Sequence, residues 1–71
     1  TSRKLVERAK GLVMELGGVD YQEASHLLDE TGFRVKHAVI MARASVDLEE
    51  AERRLDGADG RLRAALGDPL G

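Results

Sequence analysis

The sequence contains no cysteine. Neither a disulfide nor a thiolate metal site can staple the chain, and the lack of cysteine suits a cytoplasmic protein. The single proline is Pro69, beyond every helical pattern, so the strongest helix breaker does no harm. Tyr21 and Phe33 are the only aromatic residues, which excludes the stacking platforms of single-strand nucleic-acid binders. No block of one charge sign exists. Eleven Lys and Arg are interspersed with thirteen Asp and Glu for a net charge of −2, against the concentrated basic face that nucleic-acid binding needs. No apolar run is long enough to cross a bilayer, and no signal-peptide pattern opens the chain. The first residue, Thr1 in place of a methionine, fits a processed chain or a piece of a longer one.

With 71 residues there is room for one domain. A chain of this size buries only about 60% of the surface its unfolded form exposes, so caps, good helix formers and short loops must contribute. Such devices are abundant. Leu5, Val6, Ala9, Leu12, Val13 and Leu16 recur at helical spacing and predict one apolar stripe. Gly17 and Gly18 follow, and glycine accepts the left-handed conformation that closes a helix. Asp20 starts a second helix as its N-cap, with Glu23 three residues on to complete a capping box. Tyr21, Ala24, Leu27 and Leu28 form its predicted buried face, and Gly32 ends it.

The third helix, Val35 to Ala44, has a different pattern. At about 100° per residue, Val35, Ala38, Val39 and Ala42 share one face, and Ile40, Met41 and Ala44 lie nearly opposite. Only Lys36 and Arg43 mark a polar sector. A helix apolar on two faces is buried between neighbours, so this one is expected at the centre. Helices one and two should lie on one side of it, and four and five on the other. The fourth helix opens at Asp47, with Glu50 as the cap partner, and buries Ala51 and Leu55 before Gly57. Glu49 with Arg53 and Glu50 with Arg54 are candidate i,i+4 pairs. A short fifth helix, Arg61 to Leu66, carries Leu62, Ala65 and Leu66.

The second and fourth helices repeat one another. Val19-Asp20-Tyr21-Gln22-Glu23-Ala24 aligns with Val46-Asp47-Leu48-Glu49-Glu50-Ala51. At the same offset Leu28 meets Leu55 and Asp29 meets Asp56. Val35, Ala38 and Val39 meet Leu62, Ala65 and Leu66. A capped helix, a glycine turn and an apolar helix thus occur twice, as in units that bury their faces on one another.

The ordered set of segments resembles the C-terminal helical region of N-acetylmuramic acid 6-phosphate etherase. It comprises Thr1-Ser2-Arg3-Lys4-Leu5 with Arg8-Ala9 and Val13-Met14-Glu15, then Asp20-Tyr21-Gln22-Glu23-Ala24 and Leu27-Leu28. Val35-Lys36-His37-Ala38-Val39-Ile40-Met41 and Gly60-Arg61-Leu62-Arg63-Ala64-Ala65-Leu66 complete it. The resemblance covers nearly the whole chain and implies an all-α bundle of about five helices. A ubiquitin-associated-like three-helix core would occupy 1–44, a second helical hairpin 45–67 and a tail 68–71. It implies a bacterial, cytoplasmic parent enzyme of peptidoglycan recycling and amino sugar catabolism. That parent is a carbon–oxygen lyase that removes D-lactate from N-acetylmuramic acid 6-phosphate. It works as a homodimer, with its chemistry in an upstream sugar isomerase domain of the same chain. The expected role of the present region is a lid or dimer support. Two residues depart from the family pattern. Arg34 replaces a good Asn cap, and Arg61 replaces an aromatic residue.

No catalytic, cofactor-binding or metal site is expected in the chain itself. His26 and His37 lie on different helices without metal-ligand spacing and read as partly exposed helix residues. The carboxylates of Asp20, Glu23, Asp47 and Glu50 are accounted for by helix capping. Ser2, Ser25 and Ser45 have no nucleophile elbow or neighbouring base. No glycine opens a phosphate loop. Arg53, Arg54, Arg61 and Arg63 form the candidate docking face, toward a sugar phosphate or a partner's acids, although a solvated face is the safer reading of them. The alternative role is a free-standing ubiquitin-associated-like interaction module. It is weakened because Leu16-Gly17-Gly18-Val19 lacks the methionine-glycine-aromatic loop such modules use on ubiquitin.

Overall fold

The computed structural model describes residues 2–67. These form five helices and, among the described residues, no strand: α1 (Arg3–Gly17), α2 (Tyr21–Thr31), α3 (Val35–Ala44), α4 (Leu48–Gly57) and α5 (Leu62–Ala65). The tail assigned to 68–71, with Pro69, lies outside the described residues.

The helix starts follow from the two aspartates. Asp20 and Asp47 take nearly identical extended conformations, φ −81° and −82° with ψ 176° for both. The Oδ1 of Asp20 accepts from the Glu23 N–H at 2.8 Å, and that of Asp47 from the Glu50 N–H at 2.9 Å. The return half of the capping box is not made among the described residues. Glu50 turns its carboxylate to Arg53 and Arg54 instead. Asp20→Ala or Asp47→Ala should each destabilise the fold by about 1 kcal/mol, because an orphan N–H of the first turn loses its acceptor. Thermal melting followed by circular dichroism checks this, and an unchanged midpoint in both variants contradicts it.

The repeat holds at the level of individual hydrogen bonds, at the 27-residue offset from Asp20 to Asp47. Each capped helix ends on a carbonyl five residues back from its acceptor's partner. The Phe33 N–H donates to Leu28 O, and the Gly60 N–H to Leu55 O, both at 2.8 Å. The left-handed residues also pair: Gly18 with Ser45, Gly32 with Asp59, and Phe33 with Gly60. Ala38 N–H donates to Arg34 O and Ala65 N–H to Arg61 O, both at 3.0 Å. The hairpin α1–α2 thus recurs as α3–α4, and α2–α3 recurs as α4–α5. Gly57 is the last residue of α4 and not its stop; the left-handed turn is made by Asp59 and Gly60.

α3 touches each of the other four helices, while α1 packs on α2 and α4 on α5. Ala38, Val39, Ile40 and Met41 are all buried, as the two-faced pattern predicts. They meet Val13 of α1, Ala24, Leu27 and Leu28 of α2, and Ala51 and Leu55 of α4 in one core. The polar sector of α3 ties its neighbours together. The Arg43 guanidinium donates to Leu16 O at 3.2 Å, satisfying a carbonyl at the C-terminus of α1. Lys36 Nζ donates to Gly60 O at 2.7 Å in the turn before α5. Arg34, at the start of α3, makes no side-chain cap; its Nε donates back to Thr31 O at 2.7 Å.

Two expectations about burial are corrected. The stripe on α1 is only partly buried. Val13 and Gly17 are buried, but Leu5, Leu12 and Leu16 are 61%, 40% and 41% exposed. α1 packs mainly on α2 and α3, and together they leave part of its apolar arc uncovered. Tyr21 is not in the core either. It lies at the first turn of α2 with its ring half exposed, because its hydroxyl reaches polar groups of α1.

Candidate docking surface

The four arginines fall into two pairs. Arg53 and Arg54 leave adjacent positions on α4 and converge on one carboxylate. Arg53 Nη2 stands 2.5 Å from Glu50 Oε1, and Arg54 Nε 2.9 Å from Glu50 Oε2. The Arg54 hydrogen bond, ahead of the two positive charges, holds the Glu50 carboxyl below its usual range. The i,i+4 pair of Glu50 with Arg54 forms as expected. Arg53 takes Glu50 and not Glu49, because the i,i+3 position lets one carboxylate bridge both guanidiniums. Arg61 and Arg63 lie beyond the turn, at and just inside the start of α5, both exposed. The structure therefore divides the candidate docking face. Arg53 and Arg54 are partly neutralised by Glu50, and Arg61 and Arg63 stand on another element.

The histidines are not brought together. His26 is exposed on α2, with Nε2 2.5 Å from Glu30 Oε1 one turn on, and His37 is half-buried on α3. Among the described residues no group of His, Asp and Glu gathers as a metal site. No helix of the described residues is long and apolar enough to cross a membrane.

The exposed features that sequence reasoning missed lie on and beside α1. Tyr21 Oη donates toward the Glu7 carboxylate at 3.0 Å and accepts from Lys10 Nζ at 3.2 Å. Lys10 also lies 4.9 Å from the centre of the Tyr21 ring. The tyrosine hydrogen bond is the leading cause that raises the Lys10 pKa. Next to this cluster, Leu5, Val6, Ala9, Gly32 and Phe33 line an open groove of about 350 Å³. Phe33 holds a left-handed backbone, φ 66°, where the repeat has Gly60, and its ring is 43% exposed. The spacing of Leu5, Ala9, Leu12 and Leu16, alternately four and three residues apart, was the available signal. It marks an exposed edge of three leucines, bordered by Ala9, which packs on the core beside Val13.

A protein of Serratia proteamaculans is 47% identical over 66 residues, which is 93% of this chain and 22% of the relative. One from Salinibacter ruber is 47% identical over the same share of this chain and 21% of its own length. One from Cronobacter sakazakii is 44% identical, again over 93% of this chain. All three are N-acetylmuramic acid 6-phosphate etherases. The chain is homologous to a segment of N-acetylmuramic acid 6-phosphate etherase. It spans about a fifth of the length of these curated relatives. The ANTAR domain family also matches, over residues 1–31, the part that forms α1 and α2. No solved structure matches the chain.

Proposed function

We propose that the chain is the C-terminal, non-catalytic helical domain of an N-acetylmuramic acid 6-phosphate etherase, acting as a lid or dimer support. The observation that carries this reading is 44–47% identity over 93% of the chain to etherases of which it spans only about a fifth. A helical cap excludes water, orients a bound sugar phosphate or braces a dimer without contributing a reacting group. The core faces of α2 to α4 are consumed internally, so such a role falls to the exposed residues of α1 and to the arginines of α4 and α5. The parent would be a cytoplasmic enzyme of cell-wall sugar recycling, with D-lactate elimination carried out by an upstream sugar isomerase domain.

The test uses the parent enzyme with and without the region starting at Thr1. The 71-residue chain alone should not turn over the sugar phosphate. Its removal should lower kcat/KM of the parent about tenfold or more, equivalent to about 1.4 kcal/mol of transition-state stabilisation, or weaken the dimer. Arg61→Glu should leave helicity intact while raising KM or weakening dimerisation if the α5 face docks. A truncated parent with full activity and full dimerisation overturns the proposal.

A further inference from the structure

We infer that two copies of this chain pair through α1, antiparallel about a two-fold axis, with Arg8 of each copy against Glu15 of the other. Leu5, Ala9, Leu12 and Leu16 follow the d-a-d-a spacing of a coiled-coil seam. The three leucines are exposed although α1 packs on α2 and α3, and Ala9 lies at the border, partly buried against the chain's own core. Antiparallel pairing sets the two seam positions against each other in layers. Leu5 then meets Leu16 of the second copy at each end, and Ala9 meets Leu12 in the middle.

The flanking positions choose the partner and the direction. On one flank stand Arg8 and Glu15, both exposed, and neither has an ion-pair partner among the described residues. In an antiparallel two-fold pair like flanks face each other, so Arg8 lies beside Glu15 of the second copy, twice. The other flank is Val6 and Val13. Val13 is fully buried in the chain's own core, so a parallel pair, which sets unlike flanks together, has nothing to meet Arg8. One helix thus carries a self-complementary seam and charge pattern. From Leu5 to Leu16 it is about 17 Å long at 1.5 Å per residue, which belongs to the small, weak class of interfaces. The pairing depends on α1 alone and holds whatever the parent of the chain does.

Sedimentation of the full chain between about 10 μM and 1 mM, the range of weak interfaces, tests it, with circular dichroism to verify folding. The chain should pass from monomer to dimer across that range. Arg8→Glu and Glu15→Arg should each weaken the dimer at least about tenfold, since like charges then meet. Mixing these two variants restores both ion pairs and should recover a mixed dimer. Leu12→Lys should leave a folded monomer. A monomer at every concentration, a dimer indifferent to Leu12→Lys, or a mixture no tighter than its separate components overturns the pairing.

Discussion

Ile40→Ala should come close to unfolding the chain. Ile40 is fully buried in the middle of α3, the one helix that touches all the others. Removing the buried branches of an isoleucine costs about 2–5 kcal/mol, transfer and cavity together. At about 0.05–0.15 kcal/mol per residue, a chain of 71 residues has about 4–11 kcal/mol in all. Half of the margin is therefore at stake in one side chain. In a domain of this size each kcal/mol lowers the melting temperature by about 4–8 °C, so a fall of at least about 10 °C is expected. Leu5→Ala is the control. Leu5 is largely exposed, and a surface change should stay within about 0.5 kcal/mol. Thermal melting of both variants at dilution decides the matter. An Ile40→Ala variant that melts with Leu5→Ala would mean that α3 is not the centre of the fold.

The centrality of α3 was legible because its sequence is apolar on two opposed faces, and only a helix between neighbours can bury both. The caps were legible because Asp20 and Asp47 have a local chemical purpose that does not depend on tertiary contacts. The repeat was legible for the same reason, and even its left-handed turns recur, Gly32 against Asp59 and Phe33 against Gly60. What escaped was the extent of cover. Periodicity finds the apolar arc of α1, but not that α2 and α3 reach only the part through Val13 and Gly17. Tyr21 has the spacing of a core residue, yet its hydroxyl finds Glu7 and Lys10 on α1 and draws the ring outward. The choice of Arg53 between Glu49 and Glu50 is a matter of rotamers, which sequence spacing does not encode. Spacing placed Arg53 and Arg54 on α4, but their partial neutralisation by Glu50 depends on that same rotamer choice.

The same substitution at two glycines of α1 should have opposite signs. Gly11 lies in mid-helix, and a Cβ added there meets nothing within 4 Å. Gly11→Ala should stabilise the chain by about 0.5–1 kcal/mol, because alanine loses less backbone entropy in a helix. Gly17 is the last residue of the same helix, and it is buried. A Cβ there would stand 2.9 Å from the Cβ of Ala42 on α3. Ala42 has no torsion by which its methyl could withdraw, so relief requires α1 to move off α3, and α3 is the helix that carries the core. Overpacking of this kind costs about 1–3 kcal/mol, more than the helix preference of alanine returns. Gly17→Ala should therefore lower the melting temperature where Gly11→Ala raises it. Combining Gly17→Ala with Ala42→Gly removes the colliding methyl and should recover part of the loss, a coupling that two independent substitutions would not show. If Gly17→Ala stabilises like Gly11→Ala, then α1 and α3 do not approach closely at this point.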